Sequence, residues 1–264
     1  MKRLVTITVG CVMLVSLSGF VFGAEAPHAG KTVTLVAFGD STTAPRGALQ
    51  VYADCLKSEL PKKGIQAEII NAGVGGNTTA AAKARFEKDV LERHPDLVII
   101  QFGINDSTVD VWKKPPATEA RVKKKQYAEN LERFVDTLRK EGGNVILMTP
   151  NPMRWTPGLK GQYGKPPYRP DHTDGFNVTL SPYADCVRAV AKNKKVPLVD
   201  VYAAFQSYGK VKGQAVDDLL LDGMHPNGKG HRLVADLLTG AILKLHAAGT
   251  LLPRKAQRGD KGSE

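Results

Sequence analysis

Five short apolar runs alternate with stretches of helical spacing, and this alternation is the feature that most limits how the chain can fold. The runs cover residues 32–37, 66–70, 97–102, 144–148 and 198–201, and the third is apolar enough for a strand buried on both faces. Helices are predicted over residues 50–60, 79–92, 123–140 and 181–193, with a closing helix over 228–246. The clearest is 123–140, where Tyr127, Leu131, Phe134, Val135 and Leu138 recur at steps of three and four and Gly142 and Gly143 stop the pattern. Pro182 is placed in the first turn of the fourth helix, where a missing N–H costs nothing. Strand and helix in alternation predict an α/β fold with a parallel, doubly wound sheet.

The N-terminus reads differently. Lys2 and Arg3 precede an apolar segment over residues 4–22 and the small-residue site Ala24-Glu25-Ala26, the three parts of a secretory signal peptide. Residues 1–26 are therefore expected to be removed after Ala26, with export to the periplasm or the medium and no membrane span afterwards. An uncleaved anchor helix is the alternative, since the apolar segment is marginally long enough. Cys11 lies too early for a lipoprotein signal. The remaining 238 residues suffice for one α/β domain over 27–252, followed by a charged tail over 253–264 that is expected to be disordered.

Cys55 and Cys186 could pair in an exported protein, and two unpaired buried thiols fit the sequence as well. The net charge is +11, and loss of Lys2 and Arg3 against Glu25 leaves +10. Such a balance favours anionic partners but does not bear on fold. Much of it is assigned to solvated helix faces such as Arg121, Lys123, Lys124 and Lys125, and no RNA-binding pattern accompanies it, so nucleic acid is not expected.

The first apolar run ends in Gly39-Asp40-Ser41-Thr42, which would set a serine in the crevice outside the carboxyl end of a strand. Taken alone, this could be an ordinary strand-to-helix turn. Three further stretches supply companions: 71–78 with Gly76, 102–106 with Asn105, and 222–226 with Asp222 and His225. A serine is a weak nucleophile without a base, and His225, on a loop before Pro226, is the histidine placed to serve. Asp222, three residues earlier, can hold the imidazole in the tautomer that leaves one nitrogen free.

These four stretches, in this order, resemble the SGNH subgroup of the GDSL esterases and lipases over residues 33–245, with Ser41, Gly76, Asn105 and His225 at the four named positions. The resemblance implies a flavodoxin-like three-layer α/β/α form with a five-stranded parallel sheet in the order 2-1-3-4-5. It also implies an oxyanion hole formed by the backbone N–H groups of Ser41 and Gly76 and the side-chain amide of Asn105. Thr42 departs from the leucine of the family's name, and this start is similar to the rhamnogalacturonan acetylesterase branch of carbohydrate esterases. The mechanism needs no metal or cofactor.

Two connections are long, 107–122 and 151–180. The second interleaves Trp155, Tyr163, Tyr168 and Phe176 with Arg154, Lys160, Lys165 and Arg169, which suits an acidic sugar through stacking and charged hydrogen bonds. Trp155, Arg154, Tyr168 and Arg169 are the candidate substrate contacts, and the alternative is a loop pinned by its own aromatics. Asp40 and Asp106 would suit a glycosidase pair, but are better read as turn and loop hydrogen bonders. Asp171, His172 and Asp174 have a spacing common in polar loops and are not read as metal ligands. The sequence thus points to an exported serine esterase that removes acetyl groups from carbohydrate, with an acylated small molecule or polysaccharide as partner. A lysophospholipase or thioesterase of the same fold, and a non-catalytic polysaccharide-binding protein, are the other readings.

Overall fold

In the computed structural model, residues 32–253 are described. The expected signal segment and the tail beyond Pro253 lie outside the described residues. Strands β1 (Val33–Gly39), β2 (Ala67–Gly73), β3 (Leu97–Gln101), β4 (Asn144–Met148) and β5 (Leu198–Val199) form one parallel sheet in the order β2-β1-β3-β4-β5. This is the expected α/β topology.

Because successive strand residues face opposite sides, each central strand feeds two cores. Leu35, Ala37, Leu97, Ile99, Ile146 and Met148 pack on one side with helices α1 (Tyr52–Glu59) and α9 (Gly228–Ala247). Val36, Phe38, Val98, Ile100, Val145 and Leu147 pack on the other with α5 (Lys124–Lys140) and α7 (Asn177–Lys194). Burial on both faces is what makes the strands read as continuous apolar runs.

The departures from expectation have local causes. Residues 79–92 do not form one helix: α2 (Thr79–Ala82) and α3 (Phe86–Asp89) are separated by a 3₁₀ turn. Arg85 ends the 3₁₀ turn at φ −110°, ψ −1°, and its guanidinium is held by Gly39 O, Ala72 O and Asn77 Oδ1 at 2.7–2.9 Å. Helix α7 begins four residues before the expected start, which places Pro182 inside the helix rather than in its first turn. The fifth strand is shorter than expected, and Asp200 caps a new helix, α8 (Val201–Tyr208), by accepting from Ala203 N. The long connections also contain short helices, α4 (Ile104–Ser107) and α6 (Pro157–Tyr163). Cys55 and Cys186 are both free thiols.

The 151–180 segment follows the second of the two sequence readings. Tyr163, Tyr168 and Phe176 are buried and pack ring on ring at 4.7–5.7 Å, with Trp155 against Phe176 at 4.9 Å. The Tyr168 hydroxyl accepts from Val109 N, the Trp155 indole donates to Arg169 O and His172 O, and buried Arg154 pairs with Asp174 at 2.6 Å. Three of the four candidate substrate contacts thus have their polar groups engaged within the protein, and Arg169 enters this network through its backbone. The side chains close a small third core over α4 and α8.

Candidate active site

Three strand ends and one loop bring the singled-out residues together. β1 ends at Gly39, where no side chain fits: a Cβ would lie 2.2 Å from Thr43 Oγ1 and 2.7 Å from Gln101 O. The chain then turns tightly, with Thr43 N and Ala44 N donating to Asp40 O. Asp40 is fully buried under this turn and accepts from both Thr42 N and Thr42 Oγ1 at 2.8–2.9 Å. Burial drives its carboxyl above the ordinary range in spite of those bonds. Thr42 is buried and lies 2.6 Å from Gln101 Oε1, so the departure from leucine supports the turn from below rather than facing solvent.

Ser41 is left half-buried at the top of the turn. Its Oγ lies 2.9 Å from His225 Nε2, and His225 Nδ1 lies 2.8 Å from Asp222 Oδ2. Burial would raise the Asp222 carboxyl, but hydrogen bonds from His225 and Met224 outweigh it and hold it below the ordinary range. An ionised carboxylate only accepts, so Nδ1 carries the proton and Nε2 is free to accept from Ser41.

The loop carrying His225 is fixed from several sides. Asp222 Oδ1 accepts from His225 N at 2.8 Å, and Leu221 N donates to His225 O at 2.8 Å. Gly223 takes φ +83°, where a side chain would be strained, and its carbonyl accepts from Arg154 N at 2.7 Å. Asn151 Nδ2 donates to Met224 O, and Asn227 caps α9 immediately beyond. The 151–180 segment therefore serves as the buttress of the histidine loop.

The three donors singled out from sequence have no hydrogen-bond acceptor among the described residues. The N–H of Ser41 and that of Gly76 make no hydrogen bond, and Asn105 Nδ2 is buried without a partner. A buried donor left unpaired costs about 1–3 kcal/mol. Gly76 sits at φ +72° with open space around it, so the glycine is needed for its backbone conformation rather than for room. Asn105 follows Gly103, which takes φ +134° at the start of α4.

Asp106 points away from Ser41 toward Thr79, accepting from its N and Oγ1 at 2.8 and 2.5 Å. Burial pushes its carboxyl up to about 7 against those bonds. It ties the segment after Gly76 to the segment carrying Asn105, the loop-bonding role read from sequence. His172 Nδ1 accepts from Asp174 N, and Asp174 is bound to Arg154. Among the described residues no group of three His, Cys, Asp or Glu side chains is placed to hold a metal ion.

Sequence reasoning missed Arg46, Arg85 and Arg121. Arg46 Nη2 donates to Ser41 O at 3.3 Å, Arg85 binds the ends of β1 and β2, and Arg121 Nη1 donates to Asn105 Oδ1 at 3.1 Å. No periodicity or motif distinguishes them from surface cations. Arg121 in particular is not on a solvated helix face, since α5 begins only at Lys124.

The model of the GDSL-like lipase/acylhydrolase family matches residues 37–233, more than half of the chain. The uncharacterized lipoprotein YqeF of Bacillus subtilis is 34% identical over 231 residues, covering 80% of this chain and 90% of that protein. An acetylxylan esterase of Geobacillus stearothermophilus is 31% identical over 192 residues, 72% of this chain and 77% of the relative. Solved structures of an acetylxylan esterase from that organism include catalytic mutants at a serine, a histidine and an aspartate three residues before that histidine. They align with TM-scores of 0.64–0.65 at 25% identity over 81% of this chain and 95% of theirs. The chain belongs to the GDSL-like lipase/acylhydrolase family and is a carboxylic ester hydrolase.

Proposed function

We propose that this protein is an exported serine esterase that removes short acyl groups, acetyl above all, from carbohydrate. The observation that carries the mechanism is the chain Ser41 Oγ, His225 Nε2 and Nδ1, Asp222 Oδ2, with links of 2.9 and 2.8 Å. Ser41 Oγ attacks the ester carbonyl carbon as its proton passes to His225 Nε2. The carbonyl oxygen becomes an oxyanion bound by the N–H groups of Ser41 and Gly76 and by Asn105 Nδ2. Collapse expels the alcohol, which takes the proton from His225 and leaves an acyl-serine. Water, deprotonated by His225, then attacks this ester and releases the acid. Asp222 accepts from Nδ1 throughout and stabilises the imidazolium.

Support for the acyl and alcohol classes comes from the relatives. The acetylxylan esterase of Geobacillus stearothermophilus acts on an acetylated polysaccharide by its name, and its catalytic mutations fall on an Asp and a His at the same three-residue separation as Asp222 and His225. Support for export comes from residues 1–26 and from the likeness to a protein named as a lipoprotein. Among the described residues no helix is long and apolar enough to cross a membrane.

With the loop arginine Arg154 committed to Asp174, a cation that reaches the serine is Arg46, which donates to Ser41 O. Affinity for an acidic glycan would then depend on Arg46 and be screened by salt, exposed charges losing contact beyond roughly 8 Å at physiological ionic strength.

The test is acetate release from a panel of acetylated glycans beside p-nitrophenyl esters of increasing chain length. The expected result is release from at least one glycan, with kcat/KM highest for the acetyl ester. Higher kcat/KM for octanoyl and longer esters, with no acetate from glycans, would replace this reading with a lipid or thioester hydrolase.

A further inference from the structure

We propose that Arg121, anchored by Asp110, is a positioning residue that fixes which end of the Asn105 amide faces the reacting ester. The inference rests on Asn105 acting in the oxyanion hole. An asparagine amide has two ends of nearly equal size and opposite polarity: the NH₂ end would stabilise an oxyanion, and the carbonyl end would repel it. The Asp40 carboxyl on the Nδ2 side biases the choice without forming a hydrogen bond of ordinary geometry. A guanidinium does choose, because it has donors and no acceptor.

The geometry supports this assignment. Arg121 Nη1 donates to Asn105 Oδ1 at 3.1 Å, so Nδ2 is turned the other way, and it is this buried nitrogen that has no partner. Asn105 Nδ2 lies toward the Asp40 side of the site without meeting hydrogen-bond geometry there. Arg121 itself is locked: Nε lies 3.1–3.2 Å from both Asp110 oxygens, and Nη2 lies 2.7 Å from Asp110 Oδ1. Asp110 is buried, also accepts from Lys113 at 2.8 Å, and takes Ala117 N on its backbone carbonyl. Burial would raise the Asp110 carboxyl, but the bonds from Arg121 and Lys113 outweigh it and hold it at about 2, so the anchor stays charged.

The backbone on either side completes the clamp. Arg121 N donates to Thr108 O at 2.9 Å, and Val122 N donates to Asp106 O at 3.1 Å. The far end of the long 107–122 connection is thereby laid alongside α4, and the guanidinium reaches the amide from a residue sixteen positions later. This gives the connection a definite role: it carries an acid and a base that set the polarity of one amide.

The test is a mutant cycle on the full mature protein with p-nitrophenyl acetate, with each variant's thermal unfolding recorded beside its kinetics. Arg121→Met removes the donor, and is expected to lower kcat by about 10–100-fold with KM within about twofold, because losing an oxyanion donor outright costs ~10²–10³. In an Asn105→Ala background the same change should cost nothing further, since a clamp has no effect without the amide. Arg121→Lys, which only donates, should retain more kcat than Arg121→Gln, which can also accept and so permits the flip. That contrast serves even where the methionine variant fails to fold.

If Arg121→Met keeps wild-type kcat while Asn105→Ala is impaired, the clamp is overturned and the oxyanion role of Asn105 stands. If the losses multiply in the double variant, Arg121 acts elsewhere and the proposal is likewise overturned. Full activity in Asn105→Ala would overturn the oxyanion reading and the clamp with it.

Discussion

Ser41→Ala is expected to lower kcat for p-nitrophenyl acetate by about 10⁵–10⁶, leaving only what binding and the oxyanion donors contribute to attack by water. The structure gives a reason for so large an effect. Among the described residues, Ser41 supplies the one hydroxyl hydrogen-bonded to His225 Nε2, at 2.9 Å, and Thr42 and Thr43 beside it are buried beneath the turn with their hydroxyls directed to Asp40, Gln101 and Tyr52. Neither can substitute without refolding the turn. Folding should be nearly unaffected, because among the described residues Ser41 Oγ bonds only to an imidazole that is itself held by Asp222 and its own backbone. A kcat within tenfold of wild type would show that the nucleophile lies elsewhere.

His225→Ala should be nearly as damaging, again about 10⁵–10⁶ in kcat, and adding it to Ser41→Ala should cost little more, since the two residues perform one step. Asp222→Asn should cost less, about 10²–10⁴. The asparagine can still accept from His225 N through its carbonyl, and Asp222 is partly exposed, its side chain 46% accessible, so water can screen and in part replace its charge. Steady-state rates of the three variants, measured on one ester at saturation, check the ranking. An aspartate variant more impaired than the histidine variant would contradict the assigned roles.

Much of this was legible in the sequence because it depends on short-range pattern. Strands buried on both faces announce themselves as apolar runs, as in Val98, Ile99 and Ile100, and the connections between parallel strands must be helices. Ser41, Gly76, Asn105 and His225 are readable because they stand in four short stretches whose order resembles a known family, although only Gly76, at φ +72°, is limited by its backbone conformation. The 151–180 segment was legible only as two alternatives. An aromatic in a loop looks alike in sequence whether it faces water or a neighbour, and the contacts that decide it, such as Tyr168 with Val109, join residues 59 positions apart.

The arginines were illegible for a related reason. Arg85 interrupts an alanine-rich helical pattern only because its guanidinium reaches the ends of β1 and β2, and Arg121 stands in a basic run that resembles a solvated face. Charge and spacing record neither fact. Both residues work through tertiary partners, Gly39 and Ala72 for the first and Asp110 and Asn105 for the second, and their roles appear only once the strands are assembled.

The most direct test of the central claim, that Ser41 is the nucleophile activated by His225, is to label the wild-type protein with a serine-directed fluorophosphonate and locate the adduct by peptide mass spectrometry. The account predicts a single adduct on Ser41, formed far more slowly in His225→Ala and absent in Ser41→Ala. An adduct on any other residue, or labelling of His225→Ala at the wild-type rate, would contradict it.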